Sequence, residues 1–194
     1  MANKIQVKRG VIGSLPTLAQ AEFGYATDTD QVFIGDGSDN HEILVLNVPL
    51  TENATIMLDQ ALSADTKWTG VTQSVTAGTG GLVYGYCYYL ATTGKWEKTN
   101  ATAASTSVGK IGMCVGAAAA DATGILLMYG VIRADDEFPA FTVAAPVFIS
   151  AATAGVLSST APTGTTDFVV RVVGHAMTAD SLFFDPDGAY GTLV

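Results

Sequence analysis

The sequence predicts a mainly all-β protein in two parts: a small N-terminal β-rich attachment module, then a β-sandwich or small β-barrel. Three observations carry this. From Leu82 onward, short apolar runs recur every ten or so residues with Gly or Pro between them, the spacing of short strands joined by tight turns. Near the N-terminus, apolar and polar residues alternate with period two and are punctuated by Gly and Asp. Between these regions lies a stretch rich in Thr, Ala, Ser and Gly that sustains no long amphipathic pattern.

The first unit is expected over residues 1–47. Ile5 and Val7 alternate with Gln6 and Lys8 as in a half-buried strand, and Gly10 and Gly13 end it. A short helical turn is expected over Ser14–Glu22. Strands are expected at Phe23–Thr27 and Gln31–Gly35, joined by Asp28-Thr29-Asp30, because Asp favours tight turns by bonding its own backbone. Residues 48–80 are expected to form a linker or bridging segment, with Pro49 near its start and Gly78-Thr79-Gly80-Gly81 closing it.

The β-domain is expected over 81–194. Its strand candidates are Val83–Leu90, Gly109–Ala118, Gly124–Arg133, Phe141–Ile149, Gly155–Ser158, Phe168–Ala176 and Ser181–Phe184. The run Ala117–Ala120 favours helix by propensity, but a helix this short would be marginal, and Gly116 and Gly124 flank it; it reads as a strand end leading to a loop.

Composition narrows the function. Apolar residues make up 48% of the 194 and charged residues 14%, enough apolar surface for a core and too little charge for disorder. A net charge of −9 argues against nucleic-acid binding, which draws its affinity from cations on phosphates. No run reaches the roughly 18 to 20 apolar residues of a membrane span, and residues 1–20 lack a signal-peptide pattern, so synthesis in the cytoplasm without secretion is expected. Cys87 and Cys114, both in apolar strand-like stretches, then read as buried free thiols. Against this acidic background Lys4, Lys8 and Arg9 place three of the nine cations within the first ten residues, a basic head suited to an acidic partner.

No constellation for catalysis emerges. Serine never sits in a Gly-x-Ser-x-Gly elbow, and neither a Walker-type loop nor a dinucleotide fingerprint occurs. His41 and His175 are the only histidines and show no zinc spacing, so neither a metal nor a cofactor is expected. Asp36–Asn40 holds several oxygen ligands but lacks the EF-hand pattern, and a tight turn with Gly37 at positive φ is favoured. Asp185-Pro186-Asp187-Gly188 reads the same way. The acidic run Asp135-Asp136-Glu137 reads as a solvated loop. Tyr84, Tyr86 and Tyr88 alternate along one expected strand, with Trp96 nearby. That aromatic row can contact glycans or another subunit, or simply cover a sheet.

The segments Ile5–Gly10, Leu15–Thr29 and Val32–Gly37 together resemble the N-terminal module of tailed-phage fibre proteins, including hyaluronidase-type fibres and the major tropism determinant. The stretches Val108–Gly116, Gly124–Val131 and Val172–Ala176, with Asp185–Gly188, resemble phage head decoration, or cement, proteins. The first resemblance implies a small trimer-forming module that fastens a projecting protein to the virion. Taken together they imply a capsid decoration protein that binds the major capsid protein as a homotrimer on the head surface and stabilises the head. The anchoring residues expected on this basis are Lys4, Lys8, Arg9, Phe23, Tyr25 and Phe33. Neither a long fibre shaft nor a large lectin or glycosidase domain is expected. The rival expectation is a short tail fibre or fibre adaptor whose β-domain binds host surface glycans.

Overall fold

The computed structural model describes residues 7–28, 31–42 and 58–194. The chain divides into two compact units, Met1–Ile56 and Met57–Val194, and among the described residues strands are the main regular elements of each. Residues 29 and 30 of the expected turn and the first part of the expected bridge, 48–57, lie outside the described residues.

The first unit is a four-stranded sheet: β1 (Lys8–Gly10), β2 (Phe23–Ala26), β3 (Gln31–Gly35) and β4 (Asn40–Glu42), in that order. β1 runs parallel to β2, whereas β2–β3 and β3–β4 are antiparallel. A parallel neighbour needs a long crossover, which Val11–Glu22 supplies. The expected helix there reduces to one 3₁₀ turn, Ile12–Ser14. Pro16 disfavours helical backbone at Leu15, and the rest of the segment crosses the sheet without helix to a turn at Gln20–Ala21, where Ala21 takes φ +62°. Its side chains close one sheet face: Leu18 is fully buried with Ala26 and Phe33, and Leu15 packs against them.

Asn40 holds the crossover down. Its side-chain oxygen accepts from the Leu18 N–H at 2.8 Å, and its amide donates to the Pro16 carbonyl at 3.0 Å. Gly35 makes the close approach possible, since a Cβ there would sit 2.5 Å from the carbonyl oxygens of Leu18 and Ala19.

The second unit is a nine-stranded antiparallel sheet that curls into a half-barrel. Its strands are β5 (Trp68–Thr76), β6 (Cys87–Leu90), β7 (Trp96–Lys98), β8 (Ile111–Gly116), β9 (Thr123–Arg133), β10 (Pro146–Ile149), β11 (Leu157–Ser158), β13 (Val172–Ala176) and β14 (Ser181–Phe184). The order is β11-β10-β13-β14-β9-β8-β6-β7, with β5 also on β9; β12 (Val169–Val170) and β15 (Gly191–Thr192) form a separate pair. All seven apolar runs contain strand residues, which confirms the mainly all-β expectation. β5 lies inside the expected bridge, where its Thr, Gln and Ser content concealed a strand held by backbone pairing.

β9 organises the unit. One edge pairs with β5 along its whole length, and the other is shared between β8 at Ile125–Leu127 and β14 at Gly130–Arg133. Its two faces serve two cores. Leu127 and Ile132 join Met113, Val147, Val173, Leu182 and Phe184 in the larger, while Leu126 joins Val75, Tyr88, Trp96 and Cys114 in the smaller. Backbone bonds then tie the arms together: Cys87 N–H to the Gly155 carbonyl and Gly155 N–H to the Thr99 carbonyl, both 2.7 Å. Cys87 and Cys114 are free and buried, and burial pushes both thiols up to about 12.

Arg171 is the principal buried cation. It is 3% exposed, and its guanidinium donates to the carbonyls of Ser107 and Gly109 at 2.9 Å and of Asp187 at 2.6 Å. One side chain thus joins three segments far apart in sequence. Arg171→Met should leave those carbonyls without their charged donor and lower stability by about 3 kcal/mol. Urea unfolding of the two proteins would measure it. In the first unit, Gly35→Ala should cost about 1 to 3 kcal/mol by forcing the crossover off the sheet, read as faster amide exchange at Leu18 and Ala26.

Candidate attachment face

The strand registers sort the first unit's side chains onto two faces. Lys8 pairs with Gly24 and Gly24 with Phe33, and a Cβ on Gly24 would meet Leu18 and Leu15, so this is the covered face. Arg9 pairs with Tyr25 and Tyr25 with Val32, so these three share the other. Val7, Arg9, Phe23, Tyr25 and Val32 line a shallow groove of about 410 Å³ there. Val7 and Phe23 are 42% and 41% exposed.

The six residues expected to anchor the protein therefore separate. Arg9, Phe23 and Tyr25 come together on the open face. Phe33, at 8% exposure, belongs to the core because it follows Val32 by one residue and so points to the opposite side. Lys8 lies on the covered side, where its ammonium meets the Glu22 carboxylate at 2.8 Å and holds that carboxyl below its usual range. Lys4 lies outside the described residues. Arg9 makes no salt bridge among the described residues, which leaves a cation beside an apolar groove. Val7 and Val32 were missed as site residues, although strand alternation would have placed Val7 with Arg9.

The aromatic group in the second unit does not form a row. Gly85, at φ +73°, sits in a turn closed by a Tyr86 N–H bond to the Val83 carbonyl, so alternation starts only at Cys87. Tyr84 packs against the larger core and donates to the carbonyls of Arg133 at 3.0 Å and Lys67 at 3.2 Å. Tyr88 is buried in the smaller core and accepts from the Val83 N–H; Trp96 is buried beside it. Tyr86 is half-buried, with the Lys98 ammonium 4.9 Å from its ring centre. Of these four, Tyr84 and Tyr86 stay partly exposed.

The Asp36–Asn40 loop is a turn whose carboxylate is used internally. One Asp36 oxygen accepts from the N–H groups of Ser38 and Asp39, and the other meets His41 Nε2 at 2.8 Å. Gly37 takes φ +94°. His41 pairs with Ile34, which pairs with Phe23, so the imidazole lies on the open side of the sheet. The hydrogen bond that His41 donates to the Asp36 carboxylate raises the imidazole above its ordinary 6.5. This pair stabilises the turn between the carboxylate range and pH 6.5; it ceases to do so as pH rises through the raised value, and also in acid as Asp36 protonates. An NMR titration should place the His41 midpoint above 6.5, and Asp36→Asn should return it toward 6.5.

Residues 5–39 match the family model described as the major tropism determinant N-terminal domain. No curated protein and no solved structure matches the chain. The matched residues span β1 to β3 and the crossover that covers them. The first unit, with its one-sided sheet, is thus similar to a phage fibre-type N-terminal module.

Proposed function

We propose that the chain is a non-catalytic tailed-phage virion protein whose first unit fastens it to the particle through the face formed by Arg9, Phe23 and Tyr25. The one-sided packing of that unit carries the reading. Among the described residues its core consists of Leu18, Ala26 and Phe33 with Leu15 against them, small for a free-standing sheet, while Val7 and Phe23 on the opposite face are exposed. A partner covering that face would complete the burial, and Arg9 at its rim selects one that offers a carboxylate beside an apolar patch.

In the finer form of this reading the protein is a homotrimer bound to the major capsid protein on the head surface. Three linked contacts raise the local concentration of each, so modest single contacts hold firmly against the pressure of packaged DNA. The likeness of the second unit's sequence to decoration proteins supports this placement. A second reading, a short tail fibre or fibre adaptor that binds host glycans, is favoured by the similarity of residues 5–39 to a tropism determinant module. In that case Tyr84 and Tyr86 supply the ring surface, since Tyr88 and Trp96 are buried.

Labelling the protein on purified virions and imaging them by electron microscopy tests both. Signal on the head supports decoration, signal on the tail supports the fibre reading, and a particle without signal overturns virion attachment. Arg9→Glu should weaken particle binding about tenfold, equivalent to ~1.4 kcal/mol, and Phe23→Asp more. Light scattering should give the mass of three 20.0 kDa chains or a multiple of it, and a stable monomer would refute the trimer.

A further inference from the structure

Arg171 has hydrogen-bonding capacity that the fold does not use. Of its five N–H groups, the two on Nη1 donate to the Ser107 and Gly109 carbonyls, and one on Nη2 donates to the Asp187 carbonyl. Nε is buried without a partner among the described residues, and the second Nη2 N–H makes no bond there either. The side chain is 3% exposed, yet no carboxylate pairs with it among the described residues. A buried charge is ordinarily paired, because the bare ion has lost its hydration. Burial accordingly pulls the pKa of this guanidinium down.

The same guanidinium borders a cleft of about 350 Å³ between two loops, with Gly109 and Lys110 on one side and Asp187 and Gly188 on the other. Two cations and one carboxylate therefore face this space, in a chain that carries 9 basic and 18 acidic residues. The carboxylate is used along its own loop, where Asp187 Oδ1 accepts from the Ala189 N–H at 2.8 Å. Lys110 donates to the Gln73 side-chain oxygen at 2.8 Å, a neutral partner that leaves its charge uncompensated. Neither loop crowds the entrance: a Cβ on Gly109 or on Gly188 would meet nothing within 4 Å.

We propose that this cleft is an oxyanion site, in which a phosphate or carboxylate group accepts from the unused Nε and Nη2 N–H groups of Arg171 and is attracted by the Lys110 ammonium. The two unused donors belong to neighbouring nitrogens of one planar group, the pair through which a guanidinium binds two oxygens of a phosphate or carboxylate in a fork. A guanidinium that only tied the loops together would account for the three carbonyl bonds but not for the orphaned Nε, and a buried donor without a partner is costly. Nε is closed to solvent, so binding shifts the exposed Asp187-Gly188 rim. An occupied site neutralises Arg171 and joins the two loops through one ligand, which stabilises the unit as the free anion rises. The site lies wholly in the second unit and does not rest on the attachment reading.

NMR titration of the full, nitrogen-labelled chain tests this, with sodium phosphate and sodium acetate added separately and the ionic strength held constant with sodium chloride. Saturable shifts are expected at the Gly109, Lys110 and Gly188 amides, together with a shift of the Arg171 Nε–H signal that a purely loop-tying arginine does not give. Lys110→Gln leaves every bond of Arg171 in place and should raise the half-saturating concentration about two- to fivefold, the range for one partly exposed charge pair. Arg171→Lys keeps the charge but removes the fork and should abolish saturation; if that variant does not fold, the Nε–H signal of the unmodified chain decides. Saturation by phosphate alone or by acetate alone upholds the site and names its oxyanion. Shifts that grow linearly with both anions as they do with chloride, or a Nε–H signal that stays fixed while the amides move, would overturn the proposal.

Discussion

The second unit depends on β9 being paired along both edges. Its two edges carry three strands and its two faces contribute to two cores, so this one strand fixes the position of both arms. Such a strand is apolar where the cores meet it: Leu126, Leu127, Val131 and Ile132 are all 2% exposed or less. It must also pass very close to its neighbour. Gly130 faces Gly70 across the ladder, and a Cβ on Gly130 would run into the β5 backbone. That pair of glycines sets how tightly β5 lies against β9.

Buried polar groups do the remaining joining. Beside the strand ladders, side chains reach backbone carbonyls: Arg171 to Ser107 and Gly109 in one segment and Asp187 in another, Tyr84 to Lys67 and Arg133, Thr99 to Cys87. Such bonds contribute modestly when made and cost much more when a partner is lost, because the orphaned group stays buried. The loops of this unit are therefore held by specific side chains rather than by apolar packing alone.

Much of this was legible in the sequence, and the failures have physical causes. Side-chain burial writes a pattern, so the seven apolar runs mark strands, and Ala117–Ala120 reads correctly as a strand end with Asp121 at φ +61° in the turn that follows. Backbone pairing writes almost none, which is why β5 passed for a linker. Periodicity also misleads where a glycine resets it: Tyr84, Tyr86 and Tyr88 alternate in sequence, but Gly85 sends them to different surroundings. In the first unit the strands were legible, yet composition grouped Lys8 with Arg9 and Phe33 with Phe23. Alternation assigns each pair to opposite faces, and the crossover decides which face is covered.

The two units dispose of their apolar side chains differently. The first covers one face of its four-stranded sheet and leaves apolar side chains exposed beside Arg9 on the other. The second places many of its large apolar side chains in two cores and holds its connections by hydrogen bonds to backbone carbonyls. Such a division leaves exposed apolar side chains and a cation on one face of the first unit, and rigidity in the second, because a side chain committed to a core is withdrawn from the surface.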